Sequence, residues 1–146
     1  MGLVYAEIEL INASHTILAK NHVIGEEEIK RTVVTALVDS GAIMLTINDS
    51  IKEQLELDVL EERTVQTADG RIMRLEVVGP IEIKFKNRRC LTQALVMPGD
   101  NEVLLGAIPM EDMDVIIHPA RQELIVHPDH PYLAQMKLKG WTYPKL

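Results

Sequence analysis

Residues 32–47 read TVVTALVDSGAIMLTI, two apolar runs rich in β-branched residues, joined by Asp39-Ser40-Gly41. β-Branched side chains favour extended backbone, and Asp, Ser and Gly each tolerate turn geometry. The stretch therefore predicts strand, turn, strand. The apolar arms belong against a core. A lone carboxylate between them is either an ordinary turn acid or a catalytic group held in a dry site, and the rest of the chain decides between the two.

Most of the remaining sequence also reads as short strands. Val4, Ala6, Ile8 and Leu10 alternate with Glu7 and Glu9, the period of a half-buried strand. INASH reads as a loop, and TILAKNHVIG as a weaker strand or irregular segment. In NDSIKEQLEL the period lengthens: Ile51 and Leu55 are four apart, with Ser50 and Glu53 in capping-box spacing, which predicts a short helix. ERTVQTADGRIMRLEVVG predicts a hairpin turning at Asp69-Gly70, a pair suited to positive φ. PIEIKFKNRRCLTQALVMP predicts a second hairpin, turning near Lys86-Asn87. EVLLGA reads as a buried strand ending at Gly106, and PMEDMDVII as a second short helix with Pro109 in its first turn. QELIVH is a last strand, followed by a proline-containing tail without a period from about residue 129. The fold class expected is all-β, a closed or strongly curled barrel with two short α-helices, rather than alternating βαβ units. The 146 residues fit a single domain, 1–146.

Composition narrows the chemistry. The chain is 47% hydrophobic but only 3% aromatic, so its core must be aliphatic and filled with Met. A net charge of −7 argues against nucleic acid, which needs a basic face, and against an anionic membrane surface. No apolar run approaches the ~20 residues of a spanning helix. The N-terminus lacks the pattern of a signal peptide, and Ala6 breaks the myristoylation pattern. The single cysteine, Cys90, allows no internal disulfide. It reads as a buried structural thiol in a reducing cytoplasm.

Three pieces, taken together, resemble the retropepsin-like (clan AA) aspartic proteases. Ala36-Leu37-Val38-Asp39-Ser40-Gly41-Ala42 is similar to that family's catalytic loop, with Ser40 where Thr is commoner. The hairpin around Asp69-Gly70 stands where the family carries its flap, although its tip lacks a Gly-rich run. Val103-Leu104-Leu105-Gly106, followed by a helix and a strand, is similar to the family's second signature. The resemblance implies an acid-protease barrel, an endopeptidase activity on polypeptides, and no cofactor or metal. Peptide hydrolysis by this route needs two carboxyls about a water, sharing one proton. The sequence has one such loop, since the Asp in TADG has no apolar strand before it. The inference is a homodimer in which Asp39 faces its copy across a two-fold axis.

The same resemblance gives the neighbours their roles. Ser40 would lock the two loops together, Gly41 would let the loop turn tightly, and Ala42 would continue it. Leu37 and Val38 would keep the dyad dry, and Leu104, Leu105 and Gly106 would pass close behind the loop. Ala68, Asp69, Gly70 and Arg71 would close over an extended peptide, bound as an added strand. A non-catalytic peptide-binding or dimerisation module of the same fold would keep the same strands and turn. Other chemistry is less well served. Ser40 as a nucleophile lacks a Gly-x-Ser-x-Gly elbow, since Ala42 follows Gly41. His127 and His130, with His118 upstream, have ligand-like spacing. Two prolines interrupt that spacing, so it reads as a solvated turn, the alternative being a metal-binding β domain. Glu111, Asp112 and Asp114, and Glu26 to Glu28, read as exposed acids.

Overall fold

The computed structural model describes residues 2–138. The alternating segment at the N-terminus forms β1, Tyr5–Asn12, which buries Ala6, Ile8 and Leu10. Helix α1, Ala13–Lys20, follows directly. The β-branched run is β2, Arg31–Val38. After the Asp39 turn comes β3, Leu45–Asn48, then helix α2, Asp49–Gln54. Strands β4, Asp58–Gln66, β5, Ile72–Phe85, and β6, Arg88–Met97, form two successive hairpins. Strand β7, Val103–Leu105, leads into helix α3, Ala107–Met113. Strands β8, Val115–His118, and β9, Glu123–Val126, pair only with each other.

Seven strands form one sheet in the order β1-β2-β7-β3-β6-β5-β4, and β1 also pairs with β5. That additional pairing, Glu9 with Lys84 through Asn12 with Ile81, closes six of the strands into a barrel. Strand β4 pairs with β5 alone and so stands outside the closed ring. Closure satisfies the backbone of β1 on both sides and removes two exposed edges. The interior is aliphatic: Leu10, Leu45, Ile47, Leu55, Ile81, Ile83 and Leu105 are fully buried, with Met113 beside them. Each such side chain stabilises the fold by roughly 1.5–3 kcal/mol. Cys90 is buried with them, and desolvation, followed by the charges of Asp112 and Glu82, pushes its thiol up to about 12. It is a structural thiol.

The all-β barrel expected from the sequence is present, with several corrections in detail. Three helices, not two, accompany the strands, together with a 3-10 turn at Glu26–Glu28. Residues 13–20, expected to be loop and then a weaker strand or irregular segment, are helical because Asn12 caps them: its Oδ1 accepts from His15 N at 3.2 Å. Helix α2 is capped by Asn48, which accepts from Ile51 N at 2.9 Å, and not by Ser50. Gly79-Pro80 does not separate two strands. It is a bulge within β5, where the register shifts against β6 between Val78 and Ile81. Helix α3 begins two residues before Pro109 and ends at Met113, and Val115 to His118 is strand. Beyond Val126 the described tail contains no helix or strand, and positions 139–146 of the expected tail lie outside the described residues.

Asn12 is only 4% exposed yet fully used. Besides capping α1, its Nδ2 donates to Leu55 O at 2.9 Å and Glu56 O at 3.2 Å, tying the start of one helix to the end of another. Asn12→Ala removes a cap and leaves Leu55 O without that donor. It should cost roughly 2 kcal/mol in denaturant unfolding.

Candidate active site

Asp39 sits at the point where β2 ends. Val38 is buried, Asp39 half-buried and Ser40 exposed, so the carboxylate stands at the rim of the barrel rather than in its core. Three hydrogen bonds fix it. Asp39 N donates to Leu105 O at 3.0 Å, Ala42 N to Asp39 O at 3.1 Å, and Gly41 N to Asp39 Oδ1 at 2.9 Å. The last is a turn closed by the side chain itself, the local geometry that favours Asp before a Ser-Gly pair.

Behind the loop, β7 pairs in parallel with β2, Leu104 opposite Leu37 and Leu105 opposite Val38. The chain then crosses the loop. Ala107 N donates to Ala42 O at 2.8 Å and Ile108 N to Ile43 O at 3.0 Å. Gly106 lies between, and a Cβ there would come within 2.4 Å of Met44 O, 2.8 Å of Ala42 O and 2.8 Å of Ile43 C. All three are backbone atoms and cannot swing aside. The requirement is one of space, since φ is −89° and open to any residue. Gly106 is thus both the strand-crossing glycine and the residue that starts α3. The two sequence signatures, far apart in the chain, meet in one hydrogen-bonded unit.

The hairpin of β4 and β5 turns through Thr67 to Arg71, with Gly70 N donating to Thr67 O at 2.9 Å and Gly70 at a φ of 89°. Asp69 stabilises this turn. The Thr67 hydroxyl first, and the Arg71 N–H second, hold its carboxyl below the usual range. Ala68, Asp69, Gly70 and Arg71 are all exposed. No hydrogen bond or ion pair among the described residues joins this tip to Asp39. The bond from the hairpin to the loop comes lower down, from Arg63 Nη1 to Met44 Sδ at 3.5 Å, a contact the sequence reading missed.

The histidines lie elsewhere: residues 127–130 form the expected turn, with His130 N donating to His127 O at 3.0 Å, but both histidines are half-buried rather than solvated. Asp114, His127 and His130 bring ligand-type atoms within 4.8 Å of one another, whereas His118 is not part of the cluster. Their bonding is that of a clasp. His130 Nδ1 lies 2.7 Å from Asp114 Oδ2, which also accepts from Gln135 N at 2.9 Å, and Asp129 N donates to His127 Nδ1 at 3.2 Å. Arg88, 3% exposed, donates to the His130 carbonyl and lies 3.8 Å from Asp114 Oδ2. A guanidinium so close to the carboxylate opposes a second cation there. Asp114 is not the exposed acid expected from the sequence, since its side chain is only 13% exposed. It caps α3 in a left-handed conformation, φ 55°.

A closed six-stranded barrel with an Asp-Ser-Gly turn braced by a crossing glycine defines an acid-protease architecture. The family model described as Aspartyl protease matches residues 25–121, about two thirds of the chain, and the protein belongs to that family, in the retropepsin-like clan. No curated protein matches the sequence.

Two outcomes follow. Gly106→Ala should force the 42–44 backbone away, lowering stability by roughly 3 kcal/mol in chemical denaturation. The Gln135 N–H first, then the hydrogen bond and charge of His130, lower the Asp114 carboxyl below its ordinary value. A lowered folded value means that the clasp is intact above the ordinary carboxylate range, about pH 3.9. It is lost as pH falls through the lowered folded value. Hydrogen exchange should show Gln135 N–H losing protection in that acid window, and at every pH in Asp114→Asn.

Proposed function

We propose that this protein is an aspartic endopeptidase of the retropepsin-like type, working as a homodimer in which Asp39 of each subunit forms one dyad. The observation that carries this reading is a single half-buried Asp39, fixed by three hydrogen bonds at the edge of an apolar depression. That depression, about 480 Å³, is lined by Leu3, Val4, Leu37, Val38, Asp39 and Ile117, among others. Leu3 is 70% exposed, and Ile43 and Ile108 beside the loop are 67% and 54% exposed. An apolar depression at the carboxylate, with exposed apolar side chains on the loop that follows it and at the start of α3, suits burial against a second copy.

In the dimer the two carboxyls share a proton, because two groups ~3 Å apart do not both ionise. The ionised Asp39 takes a proton from the water between them as its oxygen bonds to the scissile carbonyl carbon. The protonated one donates a hydrogen bond to the carbonyl oxygen. The tetrahedral intermediate then breaks its C–N bond, and the proton taken from water passes to the leaving amine. Gly41 N–H holds the carboxylate that acts as base in place. The Ser40 hydroxyl bonds across the two-fold, and Leu37 and Val38 keep the site dry. Gly70 lets the tip from Ala68 to Arg71 close over a peptide lying as an added strand. No helix among the described residues is long and apolar enough to cross a membrane. The buried thiol of Cys90 suits a reducing cytoplasm.

Asp39→Asn should abolish cleavage of an unstructured protein at mildly acidic pH while leaving the circular dichroism spectrum and melting temperature close to the parent. Hydrolysis undiminished in that variant would exclude the dyad.

A further inference from the structure

The hairpin carries charge where its pattern calls for apolar residues. Across β4 and β5, Arg63 is opposite Leu75 and Glu61 is opposite Val77. Leu75 is 4% exposed and Val77 0%, and directly opposed residues share a face of the sheet. Arg63 and Glu61 therefore share the buried face of Leu75 and Val77, the inner face of the hairpin, on which Arg63 reaches Met44 beside the Asp39 loop. Glu62, Thr64 and Gln66 take the outer face. Because β4 pairs with β5 alone, this inner face overhangs the loop without another strand beside it.

The two charges are arranged unequally. Arg63 Nε and Nη2 both donate to Glu61 Oε1, at 3.1 and 2.9 Å. Glu61 thus occupies one edge of the guanidinium and holds it in orientation. The other end, Nη1, reaches across to Met44 Sδ at 3.5 Å. A thioether is among the weakest acceptors a protein offers, so this donor is spent on a poor partner. Met44 follows the catalytic loop directly, next to the exposed Ile43 and Ile108. Both side chains of the ion pair remain about half exposed, 46% and 47%, so the guanidinium is open to a ligand lying between hairpin and loop.

We propose that Arg63, oriented by Glu61, determines specificity. It selects peptide substrates carrying an acidic side chain at the position that passes over Met44. The carboxylate displaces the thioether and takes up Nη1, exchanging a weak hydrogen bond for a charge-assisted one. A lysine at the same position meets the positive end of the ion pair and is disfavoured. This inference rests on the reading of Asp39 as the catalytic group, and it gives that site a substrate class.

Binding and hydrolysis separate the two. Fluorescently labelled apolar octapeptides, each carrying one Glu, Gln or Lys in turn along its length, are titrated into the Asp39→Asn protein by anisotropy. At one position the Glu peptide should bind about tenfold tighter than the Lys peptide, by a margin that shrinks with added salt. Arg63→Ala should erase that preference and Arg63→Glu reverse it, whereas Glu61→Gln, whose amide oxygen still accepts from Nε and Nη2 and so keeps Arg63 oriented, should preserve it. Equal binding of Glu and Lys peptides, binding of neither, or a preference that survives Arg63→Ala overturns the role of Arg63. The same peptides are then incubated with the protein bearing intact Asp39. Selective binding without hydrolysis there keeps Arg63 as the selector and overturns the peptidase reading.

Discussion

The site depends on the close passage of Gly106 behind the Asp39 loop. Backbone meets backbone there: Leu105 O accepts from Asp39 N just before the glycine, Ala107 N and Ile108 N donate to Ala42 O and Ile43 O just after it, and no side chain could occupy the space between. The crossing converts two separate strand ends into one rigid unit. It also explains why β7 is so short. Three residues suffice to pair with β2 and β3 before the chain must turn into α3 over the loop. Asp39 is thereby held by the barrel's own hydrogen-bond ladder, which is the kind of support that keeps a reacting group in one place.

Around that unit the molecule uses two different means of attachment. The barrel is held by aliphatic burial and by strand closure through β1 and β5. The tail after β9 is held by polar contacts to Asp114, Arg88 and Asn87, whereas Tyr132, Leu133, Met136 and Leu138 stay exposed. Burial of apolar area is indifferent to pH, but a clasp built on one carboxylate is not. The tail thus contributes a stability that acid removes selectively, and it acts on the far end of the same short helix whose start crosses the Asp39 loop.

The barrel strands were legible because their signals are local. Alternation identified β1, β-branched runs identified β2, and Asp69-Gly70 and Lys86-Asn87 marked the two hairpins. The Asp39 loop and the Leu104-Leu105-Gly106 strand were legible as motifs, and the structure joins them. Helix α1 was hidden because Ser14, His15 and Thr16 give its first turn no apolar period, so that Asn12 was its only signal. The bulge at Gly79-Pro80 looked like a strand end because proline usually marks one. The clasp and the Arg63–Met44 bond could not be read at all. Arg88 and His130 are 42 residues apart, Arg63 and Met44 are 19, and only the closed topology brings such pairs together. The charge on the inner face of β4 did have a trace in the sequence, since Glu61 and Arg63 alternate in step with Val65.

The central claim is that two copies of Asp39 make one site. It is tested most directly by mixing subunits: intact protein is allowed to exchange with increasing amounts of the Asp39→Asn form, and hydrolysis is measured at constant total protein. If the dyad spans the two-fold, activity falls with the square of the intact fraction, so that an equal mixture retains about a quarter of the starting rate. A linear fall, to about a half in the same mixture, would place a complete site within each subunit and contradict the account.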